Sequence, residues 1–526
     1  MNIALRLSLV AVLLVNRLSA QVVQTAQGKV EGQLEANSDV SAFKGIAFAA
    51  PPVGEWRWRA PRPPAAWQGI RKATEFSASC MQPIIESMLP MHMPWTEEFL
   101  THGKIGEDCL YLNIWSPKVS ANRNLPVVVF IHGGGFSGGA GSIDVYHGGH
   151  LAARGVVVVT LNYRLGVFGF LAHPELSAES EHHGSGNYGL MDQIAALKWI
   201  QSNIAQFGGD PQNVTIWGQS AGAFSVAALI ASPQAAGLFQ RAQADSGLGI
   251  AGIPMARLSD AEQTGVKFAE EHHATSIKVL RAITADALLP DPRTNMSGGL
   301  RFAPIVDGWI LPDTPSELNA KGSDNDVPVI TGYQASDSAL FAQRSNTVDG
   351  YHQLLRQRYG EMAAEFAKLY PVTKMEDIGI ATMASSQDRD RISMFLWAGA
   401  RVKSHHEPVF TYYFDRAIPW PQHPEFGAFH TGEIPYFFLN LKVLDRPWEE
   451  NDFVLANEVS SYIVNFATKG DPNGPGLQRW PKVGPDQQET MELGARCGAM
   501  PLADKVKANF WIRYFHSPES KNAVPF

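Results

Sequence analysis

Short apolar runs bounded by glycine, proline and polar residues recur along this chain, and the residues at which each run stops carry as much information as the run. Val127-Val128-Val129-Phe130-Ile131, Val214 to Trp217, Val327 to Thr331 and the aromatic-rich Phe410 to Phe414 have the length and composition of strands. The second of these leads through Gly218-Gln219-Ser220-Ala221-Gly222 directly into Ala223 to Ile230, a small-residue stretch that reads as a helix. A strand-to-helix turn that sharp forces its central residue into a strained conformation. Glycine two residues before and two after then lets strand and helix approach without a Cβ clash. The hydroxyl of Ser220 is expected to project above the sheet as a nucleophile.

A serine nucleophile needs donors for the oxyanion it creates, and the run Val127 to Ile131 ends in His132-Gly133-Gly134-Gly135-Phe136. Three consecutive glycines leave backbone N–H groups unshielded. Gly134 and Gly135 are the expected donors, with the N–H of Ala221, the residue after the nucleophile, as a third. On its own the glycine tract is a flexible turn; its pairing with an elbow serine downstream gives it a role.

The motifs fall in one order. Phe43-Lys44-Gly45-Ile46, Ala50-Pro51-Pro52-Val53-Gly54, Glu107-Asp108-Cys109-Leu110-Tyr111-Leu112-Asn113, the glycine tract, Asn162-Tyr163-Arg164, Asn187 to Gln193, Phe207-Gly208-Gly209-Asp210-Pro211, the elbow, Asp245-Ser246-Gly247 and His430 to Phe438 follow one another. Together they resemble the type B carboxylesterases, the branch of the α/β-hydrolases that includes bacterial nitrobenzyl-type esterases and, more distantly, the cholinesterases. The resemblance covers about residue 24 to the C-terminus. It implies a central, mostly parallel twisted sheet with helices on both faces and large loop and helix insertions. It also implies a serine, acid, histidine order, all at the C-terminal ends of strands.

His430 lies beyond the strand Phe410 to Phe414 and precedes Glu433-Ile434-Pro435-Tyr436-Phe437-Phe438, which resembles the family segment after the catalytic histidine. It is the expected general base. His272, His273, His405 and His406 occupy polar settings and read as solvated. The family's acid is usually glutamate, whereas Gly332-Tyr333-Gln334-Ala335-Ser336-Asp337-Ser338 places Asp337 at that position. Either carboxylate can orient an imidazole. Asp324 and Asp326 precede the strand and fall at the wrong end of the sheet. Gln219, Ser246 and Glu433 are candidates for support behind these groups. The resemblance further implies a Cys80–Cys109 disulfide beside the entrance; Cys497 is left over, as a buried free thiol or an intermolecular partner.

Composition narrows the rest. With 526 residues, 45% of them hydrophobic and 18% charged, the chain can bury a large core. The motif-bearing strands run from 127 to beyond 414, so one sheet and one domain over 21–526 are expected. Arg6, the apolar Leu7 to Val15 and Leu18-Ser19-Ala20 read as an export signal over 1–20 with cleavage near Ala20. A periplasmic or secreted protein without a transmembrane segment follows. A net charge of −8 and no Lys/Arg-rich run argue against nucleic acid as a partner. The expected partners are a small-molecule ester and water, with no metal and no cofactor. Gln219 stands where cholinesterases carry glutamate, and Met81, Met88, Met91, Met93 and Trp95 fill the Cys80–Cys109 loop. Both favour uncharged, hydrophobic esters. The rival expectation is a non-catalytic binding or adhesion protein; relatives of that kind lose the serine or the histidine, and both are present here.

Overall fold

The computed structural model describes residues 21–522 apart from 37, 118, 120–122, 251–254, 291–299, 339–340, 343–344 and 485–488. The expected export signal, 1–20, lies outside the described residues. Strands β1 (Gln21–Gln24), β2 (Lys29–Leu34), β3 (Val40–Ala47) and β4 (Ile70–Lys72) begin the chain, followed by the short pair β5 (Ser79–Cys80) and β6 (Ile105–Gly106). The core strands are β7 (Tyr111–Pro117), β8 (Leu125–Ile131), β9 (Val157–Leu161), β10 (Gly209–Gln219), β11 (Arg241–Asp245), β12 (Val329–Gln334) and β13 (Val409–Phe414). The series ends with β14 (Glu489–Leu493) and β15 (Gly498–Pro501).

These strands form one large sheet in the order β1-β2-β3-β7-β9-β8-β10-β11-β12-β13-β14-β15, with β4 against β2. From β9 to β14 every neighbouring pair is parallel. The edges are antiparallel apart from β4, which runs parallel to β2. Parallel strands need crossovers that cover both faces, so their residues are buried on both sides. Strand β8 displays this: Val127, Val129 and Ile131 pack with Ile216 and the helices Tyr188–Asn203 and Ala221–Ala231. Val128 and Phe130 point the other way, onto Trp217, Phe437, Phe438 and the helix Glu450–Lys469. A separate cluster joins helices Val348–Tyr359, Ala363–Leu369, Met375–Ser404 and Lys505–Phe515. The architecture is the expected mostly parallel α/β sheet with helices on both faces.

Register decides what the sheet presents at its C-terminal edge. Ile131 pairs with Gly218, Gln219 with Asp245, Asp245 with Gly332, and Gln334 with Phe414. The loops after β8, β10, β11, β12 and β13 therefore leave one edge side by side, where ligands of open α/β sheets bind. Strand boundaries differ from the sequence reading in one useful way. Strand β12 starts at Val329 and runs on to Gln334, so the acid loop starts only at Ala335.

Candidate active site

Ser220 sits between β10 and the helix Ala221–Ala231 with φ 57° and ψ −124°, a conformation that costs a side-chain-bearing residue free energy of order 1–3 kcal/mol. The two flanking glycines make it possible. A Cβ on Gly222 would strike the Ile131 carbonyl, and one on Gly218 would strike the backbone of Gly222. Ala221 is the first residue of the helix, so its N–H has no intrahelical acceptor.

The glycine tract leaves β8 and turns over the elbow, with Gly134 at φ 105° and Gly135 at φ 62°. Contact is close: a Cβ on Gly133 would lie 2.8 Å from the Gln219 carbonyl oxygen and 3.0 Å from the Ser220 Cβ. The buried His132 ring stacks on Tyr163 at 4.5 Å, and the Tyr163 hydroxyl donates to the His132 carbonyl at 2.9 Å. Burial lowers the His132 pKa to about 4, which keeps the ring neutral, and its Nδ1–H donates to the Gly133 carbonyl at 2.8 Å. From the other side Gln82 donates to the Gly139 carbonyl at 2.9 Å and accepts the Gly139 N–H at 2.8 Å.

Asp337 and His430 come together because their loops pair. Ser336 bridges to Phe429, its N–H donating to the Ala428 carbonyl at 2.9 Å, which sets the next residue of each loop face to face. Both side chains are buried, and the His430 Nδ1–H donates to Asp337 Oδ1 at 2.6 Å. With Nδ1 protonated, Nε2 carries the lone pair. It faces the elbow, where the Gln219 amide Nε2 lies 3.3 Å away. The second Asp337 oxygen accepts from the Ser246 hydroxyl and, at 3.3 Å, from the Gln334 N–H. Ser246 also lies in hydrogen-bonding reach of Gln334 Oε1 and shares its single proton between the two acceptors.

Behind this pair lie two more buried acids. Glu433 is fully buried beside Gln334; burial, then Asp245 and Asp337 nearby, push its pKa well above the ordinary value. Burial likewise lifts Asp245 to about 7 against the hydrogen bonds it accepts from Trp217 and Gln243. The structure thus places Gln219, Ser246 and Glu433 beside His430 and Asp337.

Asp324 and Asp326 lie elsewhere. Asp324 pairs with the buried Arg401 at 2.9 Å and with His405, and Asp326 accepts the N–H groups of His406 and Glu407. His405 is therefore a buried partner of Asp324 and not the solvated group its polar surroundings suggested. Cys80 and Cys109 are joined, and Cys497 is free, its thiol pKa raised chiefly by burial. Of the loop methionines Met81 is core, whereas Met88, Met91 and Met93 are only half-buried. Gln82, Gln334 and Thr431 were not singled out by the sequence reading. Their signal was position alone: each lies within three residues of Cys80, Asp337 or His430.

The sequence profile of the carboxylesterase family matches residues 19–511. The chain is 38% identical to para-nitrobenzyl esterase of Bacillus subtilis (strain 168) over 90% of its length and 94% of the relative's. It is 37% identical to fumonisin B1 esterase of Sphingopyxis macrogoltabida, over 90% and 86%, and 32% identical to human cocaine esterase, over 96% and 94%. A solved PNB esterase superposes with a TM-score of 0.79 at 33% identity, covering 94% of this chain and 99% of that one. A thermophilic PNB esterase superposes at 0.77 and 33%, covering 94% and all of its chain. A match to the family over residues 19–511 and alignment with esterases over nine-tenths or more of the chain place this protein, with its elbow serine and histidine-carboxylate pair on one sheet edge, in the carboxylesterase family, as a carboxylic ester hydrolase with the α/β-hydrolase fold.

Proposed function

We propose that this hydrolase works by two-step acyl transfer on Ser220, with His430 as general base and Asp337 as the acid that orients it. One arrangement supports the roles: His430 is held through Nδ1 by Asp337 at 2.6 Å while Nε2 faces the strained Ser220 turn. His430 Nε2 takes the Ser220 hydroxyl proton as Oγ attacks the ester carbonyl. The oxyanion so formed is stabilised by the N–H groups of Gly134, Gly135 and Ala221. Collapse of the tetrahedral adduct breaks the ester C–O bond, and the imidazolium returns its proton to the departing alkoxide. Water, deprotonated by His430, then attacks the acyl-enzyme and releases the acid and Ser220. Asp337 fixes the tautomer and stabilises the imidazolium throughout.

The substrates favoured are uncharged and hydrophobic. Gln219 brings no negative charge to the site, and Trp95 and Phe341 set their rings edge-on to His430 at 6.2 and 5.4 Å. The chain is further proposed to act as one domain over 21–526 after export and removal of 1–20. Among the described residues no helix is long and apolar enough to cross a membrane. The test is turnover of chromogenic esters of graded acyl length, together with trapping by an organophosphonate. Wild type should hydrolyse them and carry the label on Ser220, and Ser220→Ala should fold but lose about 10⁴-fold or more in kcat. A label on another residue, or a Ser220→Ala variant within tenfold of wild type, rejects the assignment.

A further inference from the structure

The segment closed by Cys80–Cys109 touches the site at two points. Near its start Gln82 clamps Gly139, at the far end of the glycine loop, with two hydrogen bonds. In its middle the Trp95 indole N–H donates to Thr431 Oγ1 at 2.7 Å. The Thr431 hydroxyl in turn donates to the carbonyl of His430. Donor and acceptor directions are consistent along this relay: indole N–H to hydroxyl oxygen, hydroxyl hydrogen to peptide oxygen. A buried indole N–H takes some partner wherever it lies. Here the partner is the residue after His430, and its own hydrogen bond ends on the His430 peptide.

Thr431 is also conformationally unusual. Its φ is 79°, in the left-handed region that a β-branched residue enters only when its surroundings hold it there. The hydroxyl, fixed as acceptor from Trp95 and donor to His430, is such a hold. The Trp95 ring adds a second restraint, standing edge-on to the imidazole at 6.2 Å and 87° and lying at 27° to Phe341, whose ring is edge-on to the same imidazole at 5.4 Å. The imidazole is thus bounded by Asp337 at Nδ1 and by two aromatic rings on its flank.

From this geometry we infer that Trp95 is a positioning residue for the general base: through Thr431 it fixes where the His430 backbone sits, so the disulfide-closed segment is a strut of catalysis as well as a wall of the entrance. The inference rests on the assignment of His430 as base. A displacement of His430 by a fraction of an ångström loosens its reach to Ser220 Oγ, and the loss falls on kcat.

Trp95→Phe keeps an aromatic face and removes the N–H; Thr431→Val keeps the β-branch and removes the hydroxyl; Thr431→Ser keeps the hydroxyl. Steady-state kinetics on a chromogenic ester should show kcat reduced about tenfold in Trp95→Phe and in Thr431→Val, with KM within about threefold of wild type, and kcat close to wild type in Thr431→Ser. Because one relay is broken in both, the double variant Trp95→Phe/Thr431→Val should be no slower than Thr431→Val alone. A Trp95→Phe variant with wild-type kcat and raised KM, or losses that multiply in the double variant, overturns the inference. Should Trp95→Phe fail to fold, the threonine pair decides: a slow Val and a normal Ser variant support the relay, and equal rates refute it. His430→Gln, run in parallel, separates the two levels. If it stays active the base assignment itself fails; if it is dead while Trp95→Phe is unchanged, only the positioning role falls.

Discussion

Asp337 has a side chain one methylene shorter than the glutamate usual in this family, yet it reaches His430 at 2.6 Å because the Ser336–Phe429 bridge draws the two loops together. The carboxylate is 2% exposed and its other oxygen is occupied by Ser246 and the Gln334 N–H. Replacing it with asparagine presents an amide that can stabilise the wrong imidazole tautomer, and kcat should fall by about 10⁴-fold at little cost in folding. Asp337→Glu should cost much less, since a carboxylate is retained, although the packed Ser246 and Gln334 leave the extra methylene little room. Of the two carboxylates at the opposite end of β12, Asp326 is the appropriate control. Asp326→Asn should keep full activity. Asp324→Asn is a poor control because it strips the buried Arg401 of its partner, a change of the kind that costs about 3–5 kcal/mol and confounds activity with folding. Steady-state kinetics of the three variants, each checked by thermal melting, decide the point. An Asp337→Asn enzyme within tenfold of wild type means that another carboxylate orients the histidine.

At the scale of elements, what was legible in the sequence was whatever local chemistry dictates. The β10 strand, the turn at Ser220 and the following helix were readable because glycine at 218 and 222 is a steric requirement of that turn, and the chain carries it in five consecutive residues. The Val127 to Ile131 run was readable because a strand covered on both faces is apolar throughout. Trp95 to Thr431 spans 336 residues and Ser246 to Asp337 spans 91, so no local pattern announces either contact. Asp337 and the Cys80–Cys109 pair came only from resemblance. His405 was misread for a related reason: its sequence neighbours are polar, but the residue that buries it, Asp324, arrives from another loop. The disulfide is itself an element-scale restraint. It ties residues 29 apart, and in the chain-entropy model a loop of that size lowers the free energy of folding by about 3–4 kcal/mol. Peptide mapping without reductant should recover Cys80 joined to Cys109 and Cys497 alkylated slowly in the folded protein and fast after unfolding, since partial burial raises its thiol pKa. A peptide linking Cys497 to either partner contradicts this pairing.

On the scale of the whole molecule, groups buried near the site impose a pH dependence on stability that their roles in chemistry do not require. Asp245 ordinarily releases its proton near 3.8 but in the folded protein keeps it until about 7, because burial outweighs its hydrogen bonds from Trp217 and Gln243. Between those values the folded state binds more protons than the unfolded one. The contribution is therefore complete below pH 3.8 and is lost as pH rises through 7, with a slope of up to about 1.4 kcal/mol per pH unit. Glu433, raised in the same direction, extends the decline upward. His132 works with the opposite sign: its ordinary pKa of 6.5 falls to about 4 on folding, so the unfolded state binds more protons in that window and stability is lost as pH falls through it. From about pH 4.5 to 6.5 the His132 slope offsets only one of the two acids, so a net decline with rising pH remains, and above 6.5 only the acids act. Wild-type stability, measured by urea unfolding across pH 4–8, should accordingly decline as pH rises through this range. Asp245→Asn removes one titration and keeps an acceptor for Trp217. In that variant one of the two declining slopes is gone, so between about pH 4 and 7 its curve should fall less steeply than that of wild type, by up to about 1.4 kcal/mol per pH unit. Parallel wild-type and variant curves across the whole range would mean that Asp245 is ionised in the folded protein at every pH sampled, and that the charge behind Ser246 and Asp337 is held without a proton.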